Sequence, residues 1–211
     1  LEEILCLHEG SPIGIAHTRW ATHGAKTDIN SHPHQSSCGK FVLVHNGIIE
    51  NYKELKEFLL EKGYTFVSQT DTEVIVQLLS YLYSNNKNIN DCIRLLTSKL
   101  EGTWGLAILC TDTPDKIYCT RHGSPLLIGY DDENIIITSE KSGFTNKIGN
   151  YFVLKNFDIC VAERSGNGVK IHTQNSYDLH KLSRAKDNMH CNYAFYFGAT
   201  NENSDKLDFL K

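Results

Sequence analysis

The chain has 211 residues, of which 40% are apolar, 22% charged and 10% aromatic, a composition that suits a globular protein with a real core. Lysine and arginine total 21 against 25 acidic residues, a net charge of −4 with no basic stripe, which argues against nucleic acid as a partner. The longest apolar runs, such as residues 41–44 and 135–137, are far shorter than the roughly 18 residues of a membrane span, so no membrane role is expected.

No linker rich in proline, glycine or serine divides the chain; the expectation is one domain over residues 1–175, followed over 176–211 by a weakly ordered tail or the start of a linker to a further domain. Residues 40–49 read as β structure around Asn46-Gly47. A helical period follows over 51–62, with Leu55, Phe58 and Leu59 on one face, Asn51 as cap and Gly63 as stop. Thr70-Asp71-Thr72-Glu73 has the form of a capping box and opens a second helix carrying Val74, Ile75, Leu78, Leu79 and Leu82 to near Asn85. A third runs from Asn90 or Asp91 to about Leu100, stopped by Gly102. From Thr103 the period falls to two, and strands are expected over 103–110, 116–121, 126–130, 134–139, 152–154, 157–163 and 169–173. Helices early and strands late predict an α+β fold with helices packed on largely antiparallel sheets.

Three clusters carry polar residues that would be costly to bury without a task. In the first, residues 14–24 and 30–34, Arg19 offers a planar fork for a carboxylate, Thr22 and His23 can donate to the same group, and Trp20 can close over a small ligand. An edge strand with incidental polar residues is the plain alternative. In the second, residues 44–48, Asn46-Gly47 is the strongest local signal for a type I′ hairpin. Its functional alternative is an oxyanion hole, in which the Asn46 amide and the Gly47 N–H converge on one oxygen. In the third, Asp71 suits a helix start through the macrodipole and could equally hold an ammonium. Arg19 for a carboxylate and Asp71 for an amine together describe a pocket for an α-amino acid. The ten histidines, with His32, His34, His23 and His45 close in sequence, allow a metal reading, but their spacing closes no zinc-type ligand set, and neither metal nor cofactor is expected.

Residues 14–24 (GIAHTRWATHG), 32–34 (HPH), 42–51 (VLVHNGIIEN), 63–67 (GYTFV), 70–75 (TDTEVI) and 123–129 (GSPLLIG) resemble, in order, the glutaminase domain of the glutamine:fructose-6-phosphate aminotransferases, class II glutamine amidotransferases. The resemblance implies an N-terminal-nucleophile hydrolase fold, a four-layer α/β/β/α sandwich, here without its first strand and helix. It implies that Arg19, with Thr22 and His23 beside it, binds the glutamine α-carboxylate, that Asp71 holds the α-ammonium, and that Asn46 and Gly47 form the oxyanion hole. Trp20 matches an aromatic residue near the family's ammonia channel. The implied partners are glutamine, a sugar-phosphate isomerase domain acting on fructose 6-phosphate, and a second copy of the chain in a homodimer.

The family's nucleophile is a cysteine at the mature N-terminus, whose own α-amine can act as base. No position here matches it: Cys6 is not terminal, and Leu7-His8-Glu9 after it does not resemble the family's opening strand. Cys38, Cys92, Cys110 and Cys119 read as packing residues. The seven cysteines are odd in number and form no C-x-x-C pair, as expected of reduced thiols in a cytoplasmic protein. The chain as written is therefore expected not to hydrolyse glutamine, whereas the parent protein is expected to. A non-catalytic glutamine-binding or regulatory module is the rival reading.

Overall fold

A computed structural model of the chain describes residues 12–18, 24–144, 148–166 and 168–175. Two long, largely buried strands pair within its main sheet. β2 (Phe41–Ile49) and β3 (Gly102–Cys110) pair antiparallel from Phe41 against Cys110 to Ile49 against Gly102. β1 (His34–Gln35) flanks β2, while β4 (Lys116–His122), β8 (Asp158–Ser165) and β9 (Gly168–Asn175) extend the far side, giving the order β1-β2-β3-β4-β8-β9. β5 (Leu127–Tyr130), between β6 (Ile135–Thr138) and β7 (Asn150–Val153), makes a second antiparallel sheet.

Because successive side chains point to opposite faces, the main sheet feeds two cores. Phe41, Leu43, Ile49, Trp104, Leu106 and Ile108 pack under the helices. Val44, Ala107, Cys119 and Cys160 face the second sheet, where Ile128 and Leu154 meet them. The helices are α1 (Tyr52–Glu61), α2 (Asp71–Asn85) and α3 (Ile89–Lys99). Twelve of the fifteen residues of α2 are buried, which makes it the central helix of its layer. The described layers are helices, main sheet and second sheet, the α+β arrangement expected from the order of periods.

The structure alters several local expectations. Asn46-Gly47 forms no hairpin; β2 runs straight through, with Asn46 opposite Gly105 and Gly47 opposite Trp104. Asn51 does not cap α1 with its side chain, which instead accepts from Glu101 N–H and donates to the Lys99 carbonyl, tying the start of α1 to the end of α3. α3 begins at Ile89, because the Asn88 side chain accepts from the N–H groups of Asn90 and Asp91. At α2, Thr70 Oγ1 accepts from Glu73 N–H, but the Glu73 carboxylate reaches back to the N–H groups of Val67 (2.9 Å) and Ser68 (2.6 Å) rather than to Thr70. The tail from 176 lies outside the described residues. No helix among the described residues is long and apolar enough to cross a membrane.

Glu73 is 2% exposed and satisfies two backbone donors, so Glu73→Ala leaves both unpaired. The expected loss is about 2–4 kcal/mol, seen as a lower urea midpoint at unchanged slope, with Glu73→Gln recovering part of it. At the other end of α2, Tyr83 donates to Asp112, which also holds Lys40. Burial, and then this bond to Asp112, push the Tyr83 phenol up to about 12. A raised folded pKa gives stability that is complete below the unfolded value of about 10 and lost as pH rises through the folded one. Urea midpoints should therefore fall between about pH 10 and 12, and Tyr83→Phe should flatten that decline.

Candidate functional site

The site forms where the end of β2 meets the N-terminus of α2. Along β2, Val44, Asn46 and Ile48 share the face turned away from the helices, and Asn46 is exposed there. Gly47 has φ +141, and a Cβ at this position would collide with the carbonyl oxygen of Thr103 and come within 2.9 Å of Ser124 Oγ. Only glycine fits, because the left-handed backbone and the close approach of β3 exclude a side chain together. The turn that carries Ser124 and Pro125 lies over Gly105, where a Cβ would meet the Pro125 carbonyl oxygen at 3.4 Å. The G-S-P stretch is thus brought beside Asn46-Gly47; Ser124 was not singled out from sequence, since nothing in its local pattern points there.

Asp71 is the first residue of α2 and is 3% exposed. Its Oδ2 accepts the N–H of Ile49 at 2.9 Å, two residues beyond Gly47, so the carboxylate is bonded directly to the strand that carries the Asn-Gly pair. Thr72 Oγ1 lies 3.5 Å from Oδ1, and His45 Nδ1 lies 4.0 Å from Oδ2. An acidic side chain suits a helix N-terminus, and a carboxylate can also accept a hydrogen bond from an ammonium.

The described flanks of the first cluster meet the start of α2. Arg19, Trp20, Thr22 and His23 lie outside the described residues, but both flanks of that stretch are placed. His17 sets its ring 4.5 Å from that of His32, and burial holds its pKa below the ordinary histidine value. On the other flank, Ala25 N–H donates to Gln69 Oε1, and Asn30, 1% exposed, donates to the Ala25 carbonyl while accepting from Gln69 N–H. The chain therefore enters and leaves this stretch beside the turn that starts α2. The neighbouring histidines are engaged as hydrogen-bonding groups: His34 Nε2 with Thr70 Oγ1 at 3.1 Å, His32 Nε2 with Thr72 Oγ1 at 3.2 Å, and His45 Nδ1 with the same Thr72 oxygen at 3.1 Å. Among the described residues no group of three or more His, Cys, Asp or Glu is arranged to hold a metal.

The described cysteines lie elsewhere. Burial pushes the Cys92 thiol up to about 11, the Cys160 thiol up to about 12, and the Cys119 thiol well above its usual value, so all three stay protonated. Cys110 is 2% exposed within the core under the helices. Cys38 is exposed, and although partial burial acts to raise its pKa, hydrogen bonds from Ser36, Ser80 and backbone amides outweigh that and lower it. It precedes Phe41, which strand geometry places roughly 17 Å from Asn46. Two clefts of about 570 and 650 Å³ open beside β9, and neither is lined by Asn46, Gly47 or Asp71.

Comparison with known proteins gives this geometry a context. Residues 17–146 match the glutamine amidotransferase domain family. The glutamine–fructose-6-phosphate aminotransferase (isomerizing) of Caldanaerobacter subterraneus is 43% identical over 152 residues, 72% of this chain and 25% of that protein. The Thermococcus kodakarensis protein of the same name is 45% identical over 163 residues, 74% of this chain and 27% of its own length. The chain thus spans about a quarter of the length of these curated relatives. Among solved structures, the glutamine phosphoribosylpyrophosphate amidotransferase from B. subtilis superposes with a TM-score of 0.60 at 24% identity, over 74% of this chain and 33% of that one. A structure of the allosteric regulatory enzyme of purine biosynthesis gives 0.61 at 24% identity, over 74% and 34%. At that identity the likeness establishes the fold, that of the N-terminal-nucleophile amidotransferases. With the matched model covering well over half of its residues, the chain belongs to the glutamine amidotransferase domain family.

Proposed function

We propose that this domain binds glutamine and, in its parent protein, hydrolyses the side-chain amide to release glutamate and ammonia, the ammonia passing to fructose 6-phosphate in a separate isomerase domain. The observation that carries the reading is the bond from Ile49 N–H to Asp71 Oδ2, which sets a buried carboxylate against the strand bearing Asn46-Gly47. In this reading Asp71 holds the α-ammonium, and Arg19, with Thr22 and His23, takes the α-carboxylate; the placement of His17 and Gly24 on either side of that stretch supports it. The side-chain amide then extends toward Asn46 and Gly47, whose N–H groups donate to the charge that develops on its oxygen. Trp20 covers the ligand on the side from which ammonia leaves. The names of the relatives support the acceptor and the second domain, with residues 176–211 leading toward it. A cytoplasmic homodimer completes the proposal.

None of the five described cysteines suits the nucleophile's part. Three are held as neutral thiols by burial, Cys110 is buried in the core, and Cys38 stands at the opposite end of β2. The proposed nucleophile is a terminal cysteine of the native protein.

Steady-state glutaminase assays on the native protein test these roles. Asp71→Asn keeps an acceptor for Ile49 N–H but removes the charge, and should raise KM for glutamine by roughly 30- to 100-fold. Asn46→Ala should lower kcat by roughly 10²- to 10³-fold with little change in KM. Cys38→Ser should leave both within twofold. An unchanged KM in Asp71→Asn contradicts the ammonium role, and glutamine binding without ammonia release by the unmodified native protein contradicts the reaction.

A further inference from the structure

The two halves of the proposed site sit on different elements, and a buried polar chain joins them. Thr72 is 1% exposed, and its hydroxyl oxygen is 3.1 Å from His45 Nδ1, 3.2 Å from His32 Nε2 and 3.5 Å from Asp71 Oδ1. His45 is 3% exposed and immediately precedes Asn46; its Nε2 lies 3.3 Å from the carbonyl oxygen of Thr103. That carbonyl is the group into which a side chain at Gly47 would run. His32 Nδ1 receives the backbone N–H of His45 at 3.4 Å.

With both rings neutral, one set of directions satisfies these contacts. With Nδ1 accepting from a backbone N–H, His32 carries its proton on Nε2 and donates to Thr72. The Thr72 hydroxyl then donates to His45 Nδ1, the nearer of its two acceptors. His45 is left with its proton on Nε2 and donates to the Thr103 carbonyl. In that arrangement one hydroxyl bonds the ring that braces β3 beside Gly47.

We propose that Thr72 and His45 are positioning residues of the glutaminase site, holding the Asn46-Gly47 backbone in place relative to Asp71 through the relay His32, Thr72, His45, Thr103. The proposal rests on the reading of Asn46-Gly47 as the oxyanion hole. Packing alone does not call for the Thr72 hydroxyl, because valine fills the same volume without a buried polar group. Asp71 is held separately by Ile49 N–H, so breaking the relay should disturb the oxyanion donors more than the amino-acid grip.

The test is glutaminase kinetics of the native full-length protein carrying Thr72→Val, Thr72→Ser or His45→Gln, with urea melts run in parallel. Thr72→Val should lower kcat about tenfold with KM within twofold, and Thr72→Ser, which restores the hydroxyl, should return kcat to within twofold of the unmodified protein. If Thr72→Val does not fold, His45→Gln decides by the same split, with kcat expected to fall about tenfold. An unchanged kcat, a change in KM alone, or a Thr72→Ser variant as slow as Thr72→Val overturns the proposal. An unmodified native protein without glutaminase activity overturns the functional reading beneath it, and the relay's role with it.

Discussion

The hydrogen bond from Ile49 N–H to Asp71 Oδ2 is the constraint on which the site depends. Asp71 begins α2, the most buried of the described helices, and Ile49 ends β2, a long strand of the main sheet, so this contact ties the helix layer to that sheet. A carboxylate at 3% exposure is tolerable because the helix N-terminus and a backbone donor both stabilise its charge. Without them it would be an unpaired buried charge, one of the most destabilising features a core can hold.

The polar groups around it follow from the same constraint. Glu73 satisfies the backbone of residues 67 and 68, Thr70 caps the helix and meets His34, and Asn30 with Gln69 binds the segment after Gly24 to the same turn. Each removes the cost of a buried donor or acceptor, and together they leave little freedom for the start of α2. The Asp71 carboxylate and the Asn-Gly strand are thereby held in a fixed relation, which the proposed catalysis by fixed dipoles requires.

Much of this was legible in the sequence. The change of period near Thr103 separated the helices from the later strands, and the strand boundaries fell close to those found. Asp71 was readable as a helix start, and it is the first residue of α2; its ammonium role belongs to the proposal. The Asn-Gly hairpin was misread locally because the deciding partner is distant: β3, more than fifty residues away, pairs straight through Asn46-Gly47 and supplies the close approach that demands glycine. Thr72 and Ser124 could not be found by pattern, since their importance lies in contacts with His45 and Gly47 that no spacing encodes. The histidines near residue 32 suggested metal by composition, yet serve as links between hydroxyls and backbone.

The account stands on one geometry: Asp71 and Asn46-Gly47 facing the two ends of a single amino-acid ligand. A crystal structure of the native protein with L-glutamate measures it directly. The account predicts the α-ammonium within hydrogen-bonding distance of the Asp71 carboxylate, with a side-chain carboxylate oxygen facing Asn46 Nδ2 and Gly47 N. Glutamate bound elsewhere, or reversed so that its α-carboxylate meets Asn46, would contradict it.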